Sequence, residues 1–379
     1  MRRGNQILKM RLAVWMGLMV ALMAAAQEPA SLKEAYKGDF VIGAALNPGQ
    51  FTGTDVRGAA LVASQFSSIT PENVLKWERV HPRPGVYAFE LPDKYVEFGE
   101  KNHMFIVGHC LVWHAQTPAW VFKDDEGKPL TREALLERMR EHIFTVVGRY
   151  KGRINSWDVG NEALNEDGTL RPSKWLQIIG EDYIAKAFEY AHQADPQAQL
   201  NYNDYSLENE AKRNGAIALI RKLKAQGIPV AVVGIQGHDH LDWPSAELED
   251  TTIEAFAKLG VKVAITELDI DVLPPIAPGS ADVSMRVKAD PKLNPYANGL
   301  PAEVQKALAE KYTSLFGVYL KHRAIVNRVT FWGVTDGDSW LNNWPVVGRT
   351  SYPLLFDRTG KPKPAFDAVI RQAAGHVQP

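Results

Sequence analysis

Cysteine is almost absent from this chain. The single residue, Cys110, rules out an intrachain disulfide, so stability has to come from burial, for which 379 residues are ample. Cys110 lies inside the apolar run MFIVGHCLVW and reads as core packing rather than as a nucleophile. Phosphate-binding signatures are missing too. The stretch after the first strand-like run, GAALNPGQFTG, lacks the G-x-G-x-x-G spacing. No serine sits in a G-x-S-x-G elbow. Histidines 109, 114, 238 and 240 raise the question of zinc, but no H-E-x-x-H or comparable pairing with a nearby acidic ligand accompanies them. Neither a metal nor another cofactor is expected.

Excess positive charge is also lacking. The N-terminus reads MRRGNQILKMR, then the apolar LAVWMGLMVALMAAA, with small residues Ala24, Ala25 and Ala26 for cleavage. This is the three-part pattern of a signal peptide over residues 1–26. A membrane anchor is the alternative, but the apolar run is shorter than the ~20 residues a spanning helix needs. Removing a leader with four cations and no acid lowers the formal charge from −1 to −5. A mildly acidic, secreted or periplasmic protein is poorly suited to nucleic acid, whose binding rests on phosphate neutralisation. A neutral ligand fits better, and nothing in the sequence requires more than a monomer.

What is present is a repeated alternation. Eight strand candidates, FVIGAAL, FSSIT, MFIVGHC, INSWDVG, AQLNYND, AVVGIQG, VKVAITE and RVTFWGV, are separated by stretches of helical spacing. The helical stretches include TREALLERMREHIFTVVGRY, WLQIIGEDYIAKAFEYAHQA, LENEAKRNGAIALIRKLKAQ and PAEVQKALAEKYTSLFGVYLKH. Near-continuous apolar strands imply a parallel sheet covered on both faces. Eight such units are the count of an α/β (β/α)8 TIM barrel, expected as a single domain over residues 27–379. A doubly wound open sheet is the rival, disfavoured by the missing phosphate loop. The proline-rich DVLPPIAPGSADVSMRVKADPKLNPYANG after the seventh strand could link two domains. The helix and strand beyond it are needed to close the barrel, so it is expected to be an enlarged active-face loop.

The strand ends carry the chemistry. TPENVLKW, GHCLVWHAQ, GNEAL, YNDYS, QGHDH, TELDID and GVTDGDSW close seven of the eight strands, and in such barrels the C-terminal strand ends build the active site. Two carboxylates stand out, Glu162 on the fourth strand and Glu267 on the seventh, among amides and tryptophans. Gly160 is expected to keep backbone bulk away from Asn161 and Glu162. Paired carboxylates and flat aromatic faces suit a glycoside, in which one acid protonates the leaving oxygen while a second carboxylate faces the other side of the ring. Trp113, Trp332 and Trp340 offer apolar faces for sugar rings, and Asn73, Lys76, Asn161 and Gln236 offer donors to hydroxyls.

These motifs resemble glycoside hydrolase family 10, the endo-β-1,4-xylanases. WDVGNEAL, ITELDI, GHCLVWHAQTPAW, ITPENVLKWERV, YNDYSLE and FWGVTDGDSWL occur in the family's order, and the likeness runs from about Ser31 to PLLFDRTGKPKPAF. The resemblance implies xylan and xylo-oligosaccharides as substrates and a retaining mechanism, with Glu162 as acid/base and Glu267 as nucleophile. It further implies that Asn161 binds the sugar 2-hydroxyl and that His238 orients Glu267. Glu72, Asn73, Lys76, His109, Trp113, Gln116, Gln236, Trp332 and Trp340 would line the cleft, and Tyr205 would stack a sugar beyond the cleavage point. A carboxylate separation of ~5–5.5 Å, typical of retention, would let ionised Glu267 raise the pKa of Glu162 above the ~4.3 of a free glutamate. Gly160 departs from the apolar residue the family more often has there. A β-1,4-glucanase with the same glutamates, or a sugar-binding barrel without catalysis, would share many of these features.

Overall fold

The computed structural model describes residues 31–276 and 281–375; the N-terminal leader expectation falls outside them. Nine strands form in chain order: β1 Val41–Leu46, β2 Ser68–Pro71, β3 Phe105–Trp113, β4 Ser156–Asn161, β5 Gln199–Asp204, β6 Val232–Ile235, β7 His238–His240, β8 Lys262–Asp271 and β9 Val326–Phe331. All strand pairings are parallel, and β1 bonds to both β2 and β9 while β6 also bonds to β8. The sheet is therefore a closed eight-strand barrel. The short β7 continues β6 beyond a kink at Gly237, whose φ of 76° suits glycine, and pairs with the outer half of β8.

The eight sequence segments are the eight barrel strands, displaced by a few residues at their ends. Helices wrap the outside, among them Arg132–Arg149, Glu210–Ala225, Ala302–Lys321 and Pro364–Gly375. Thr131, Ser173 and Ser245 cap their helices by accepting backbone N–H bonds, worth about 1 kcal/mol each. The stretch WLQIIGEDYIAKAFEYAHQA is two helices, Lys174–Ile179 and Tyr183–Ala194, because Gly180 at φ 98° ends the first. Between strand and helix layers the packing leaves little slack. A Cβ at Gly108 would lie 2.2 Å from the ring of buried Trp157, so glycine on β3 is what lets that indole seat.

The barrel interior is unusually polar towards the mouth. Asp158 of β4 meets His109 Nδ1 at 2.9 Å and accepts from Asn201 at 3.0 Å. Register shifts re-aim side chains there. Between β4 and β5, Asp158 pairs with Asn201, yet Gly160 pairs with Tyr202 and Asn161 with Asn203. One residue of β4 is bulged out, so the alternation restarts and Asn161 comes to lie beside Asn203. A Cβ at Gly160 would make ordinary 3.5–3.7 Å contacts with Ile184, Tyr202 and Phe188. That glycine faces the helix layer and does not make room for Asn161 and Glu162, contrary to the expectation. A second shift falls between Ile265 and Leu268 on β8, bracketing Glu267.

Candidate active site

At the C-terminal mouth of the barrel lies a cavity of about 140 Å³. It is lined by Glu162, Glu267 and His238 together with Glu72, Asn73, Lys76, His109, Trp113, Gln116, Gln236, Trp332 and Trp340. Those residues come from strand ends scattered over most of the chain. Asn161 stands just below the lining, and Tyr205 stands apart from it.

Glu162 follows the last residue of β4 with φ 53°, a left-handed conformation that a non-glycine residue adopts only where its surroundings hold it. Its backbone N–H donates to Asn203 O at 2.9 Å. Its side chain is 4% exposed and takes bonds from neutral donors: Trp113 Nε1 at 2.9 Å, Gln236 Nε2 at 3.1 Å and Asn161 Nδ2 at 3.3 Å. Burial is the main reason its pKa is pushed up to about 7, with the negative charge of Asp204 next. Glu267 adds to the rise, while the bonds from Gln236 and Trp113 oppose it. Glu267 raises the Glu162 pKa as expected, but desolvation and Asp204 contribute more.

Glu267 is as deeply buried, and its pKa nevertheless falls. Burial would raise it, but the bond from His238, the electrostatic pull of His109 and His238, and the Asn203 amide outweigh that cost. Asn203 Nδ2 donates to Glu267 Oε1 at 2.8 Å, and His238 Nε2 lies 3.3 Å from Oε2. His238 is in turn fixed through Nδ1 to Asp269 at 2.9 Å, whose other oxygen accepts from Trp340 Nε1 at 2.7 Å. Burial alone would lower the His238 pKa; Asp269 and then Glu267 raise it to about 10. Imidazolium is thus the resting form, and it donates to the carboxylate. The two glutamates are joined through amides, because Asn203 Nδ2 also donates to Asn161 Oδ1 at 2.8 Å while Asn161 reaches Glu162.

Away from the glutamates, Lys76 donates to Asn73 Oδ1 at 3.1 Å and lies 5.0 Å from the centroid of a Trp113 ring. Burial raises the pKa of Glu72, with Lys76 and Asn73 acting against it and Asp338 reinforcing it. Gln116 donates to Glu78 at 3.1 Å. Trp332 meets His109 edge-to-face at 5.4 Å, and Trp340 stacks on Trp344 at 4.3 Å, so one face of Trp340 is taken by protein. Tyr205 differs most from the sequence reading. Its ring is 3% exposed with the Lys212 ammonium 3.4 Å from its centroid, and its hydroxyl accepts from Arg171 at 2.8 Å. The ring face under Lys212 is closed to a sugar.

Several site residues escaped the sequence reading. Asn203 and Asp269 lay inside quoted motifs but were given no role, although Asp269 is two beyond Glu267 and so on the same strand face. Ala281 and Val283, from the proline-rich loop after β8, also line the cavity. That loop is tied down where Trp344 Nε1 donates to Asp282 O at 3.0 Å and Val287 N–H to Pro345 O at 2.9 Å. It is an active-face loop, as expected. Among the described residues Asp250, Glu254 and His322 could in principle share a metal, but they lie on outer helices and Lys321 already occupies Asp250.

The family model described as glycosyl hydrolase family 10 matches residues 31–372. Endo-1,4-beta-xylanase A of Xylanibacter ruminicola is 45% identical over 358 residues, 94% of this chain and 97% of that protein. A GH10 endoxylanase retrieved from a sugarcane soil metagenome superposes with a TM-score of 0.87 at 48% identity, over 90% of this chain and 99% of that one. A mutant structure in complex with xylotriose gives 0.80 at 39% identity, over 90% and 99%.

Proposed function

The chain belongs to glycosyl hydrolase family 10, and from that premise we propose how its own residues carry out the reaction. The protein is an endo-1,4-β-xylanase, hydrolysing β-1,4-xylosidic bonds in xylan and xylo-oligosaccharides with retention of configuration. The single observation that carries the assignment of roles is the contrast in partners of two equally buried glutamates, neutral donors alone around Glu162 and the His238 ring with an amide around Glu267.

Glu162, with its pKa raised to about 7, still carries a proton in a large share of molecules in neutral solution and delivers it to the glycosidic oxygen. Glu267, held ionised by His238 and Asn203, attacks the anomeric carbon as that oxygen leaves. The bond from Glu267 to the sugar forms as the bond to the aglycone breaks, and the transferred proton neutralises the departing alkoxide. In the glycosyl-enzyme Glu267 is an uncharged ester, which removes one of the charges that raise Glu162. Glu162 then accepts a proton from water as the hydroxide displaces Glu267. Loss of the Glu267 charge lowers the Glu162 pKa, while burial and Asp204, the larger causes of its rise, stay in place. Asn161, fixed through Asn203, has an amide N–H left to reach the 2-hydroxyl of the sugar being cleaved.

Residues 1–26 serve as a secretory leader and 27–379 as the mature catalytic unit, acting outside the cytoplasm or in the periplasm. The basic-then-apolar N-terminus supports this reading. The mature protein works as a monomer, without membrane or nucleic acid. The test of the function is proton NMR of anomeric signals during action on xylotetraose. Early β-anomer is expected. Early α-anomer would contradict retention, and cleavage of cello-oligosaccharides instead would make the protein a glucanase.

A further inference from the structure

Behind Glu162, on the side away from the cavity, a second carboxylate is buried with a lysine. Asp204, the last residue of β5, and Lys212, on the helix Glu210–Ala225, are both fully inaccessible, and their charges meet at 3.1 Å. A pair buried so deeply recovers its desolvation only where further hydrogen bonds complete it. Here they do. Asp204 accepts from the Tyr202 hydroxyl at 2.6 Å, the Tyr205 N–H at 2.9 Å and the Leu164 N–H at 3.4 Å. The last of these belongs to the strained turn that carries Glu162. The same turn is held from the other side by Arg171, whose Nε donates to Glu162 O at 3.2 Å and whose Nη2 reaches Leu164 O at 3.3 Å.

We infer that Asp204 is a positioning residue for the acid/base: it anchors the turn on which Glu162 sits and places a buried negative charge behind it, only partly offset by Lys212. The inference rests on the acid/base role proposed above for Glu162. The groups around Asp204 explain why the offset is partial. Lys212 is shared with Glu166 at 3.2 Å and points its ammonium into the Tyr205 ring. Arg171 is drawn towards the Tyr205 hydroxyl and, at 3.8 Å, Asp282. Tyr183 and Tyr202 are uncharged, since burial raises both. The direction of the Glu162 shift, in which Asp204 is the leading charge, agrees with the geometry.

The experiment is the pH dependence of kcat/KM on xylotetraose for Asp204→Asn and Lys212→Met, with Glu162→Ala as the control. The alkaline limb reports loss of the essential acid's proton in the free enzyme. Asp204→Asn should move that limb down by about one pH unit, because it leaves the lysine charge unopposed. Lys212→Met should move it up by a comparable amount, since it removes the cation that offsets the Asp204 charge while the two backbone N–H groups and the Tyr202 hydroxyl still hold that side chain in place. The acid limb stays in place in both. A uniform loss of activity with unmoved limbs in these variants overturns the inference and leaves Asp204 a merely structural residue. If Asp204→Asn does not accumulate as folded protein, the opposite-signed Lys212→Met decides. An alkaline limb that persists in Glu162→Ala belongs to another group and overturns the acid/base role itself, whereas a limb lost there and unmoved in both pair variants overturns the Asp204 inference alone.

Discussion

Two glutamates at one barrel mouth, equally hidden from water, are pushed in opposite directions from the ordinary glutamate pKa. Around Glu162 every side-chain donor is neutral, an indole and two amides, and the charge that acts on it most strongly is the carboxylate of Asp204. Around Glu267 the donors are an amide and a histidine that Asp269 keeps protonated. Burial on its own would protonate both. What separates them is the character of the partner, and the barrel fixes each partner at a strand end around the same mouth. Acid and nucleophile are thus distinguished before any substrate arrives.

The comparison can be broken at several points. Removing the nucleophile has the largest effect. Glu267→Ala should lower turnover of xylo-oligosaccharides on the order of 10⁵-fold while calorimetry still detects their binding; loss of binding as well would deny a purely catalytic role. Glu162→Ala should cost roughly 10²–10⁴-fold on xylan and far less on an aryl xylobioside whose leaving group needs no proton. Equal losses on both substrates would remove Glu162 from the acid's place. Asn203→Ala strips a donor from Glu267 and frees Asn161, and an approximately 10–100-fold loss in kcat is expected, in keeping with the cost of displaced positioning groups. Its acid limb should also rise, because Glu267 becomes easier to protonate.

The smallest effect is on stability, and its sign follows from linkage. The Glu162 pKa is raised on folding to about 7, so its contribution is fully present below the unfolded value and is lost as pH climbs towards 7. Glu162→Gln should therefore gain stability relative to the parent, by about 1–3 kcal/mol more at pH 8 than at pH 4.5. Thermal unfolding at the two pH values measures it, and an unchanged difference would mean that Glu162 is not held protonated.

Much of this site was legible because barrel strands announce themselves. The apolar runs ending in GNEAL and TELDID put Glu162 and Glu267 at one mouth without any coordinates, and the tryptophans followed from the same rule. Local pattern fails where alternation breaks. The bulge between Asp158 and Gly160 reverses the face of Gly160, and no period-of-two reading foresees it. Asn203 was passed over because an amide in a strand is usually a minor feature; its importance lies in bonding to two other strands at once. Tyr205 was assigned by motif position, and Lys212, seven residues further on, covers its ring. Contacts made across elements are what a linear reading leaves out.

The most direct test of the account is a carbon-13 NMR titration of glutamate-labelled protein, with the two carboxyl signals assigned through Glu162→Gln and Glu267→Gln. The account predicts that Glu162 titrates near pH 7 and Glu267 below the ordinary glutamate range. Signals that titrate together at that ordinary value, or a proton resident on Glu267 at neutral pH, would contradict it.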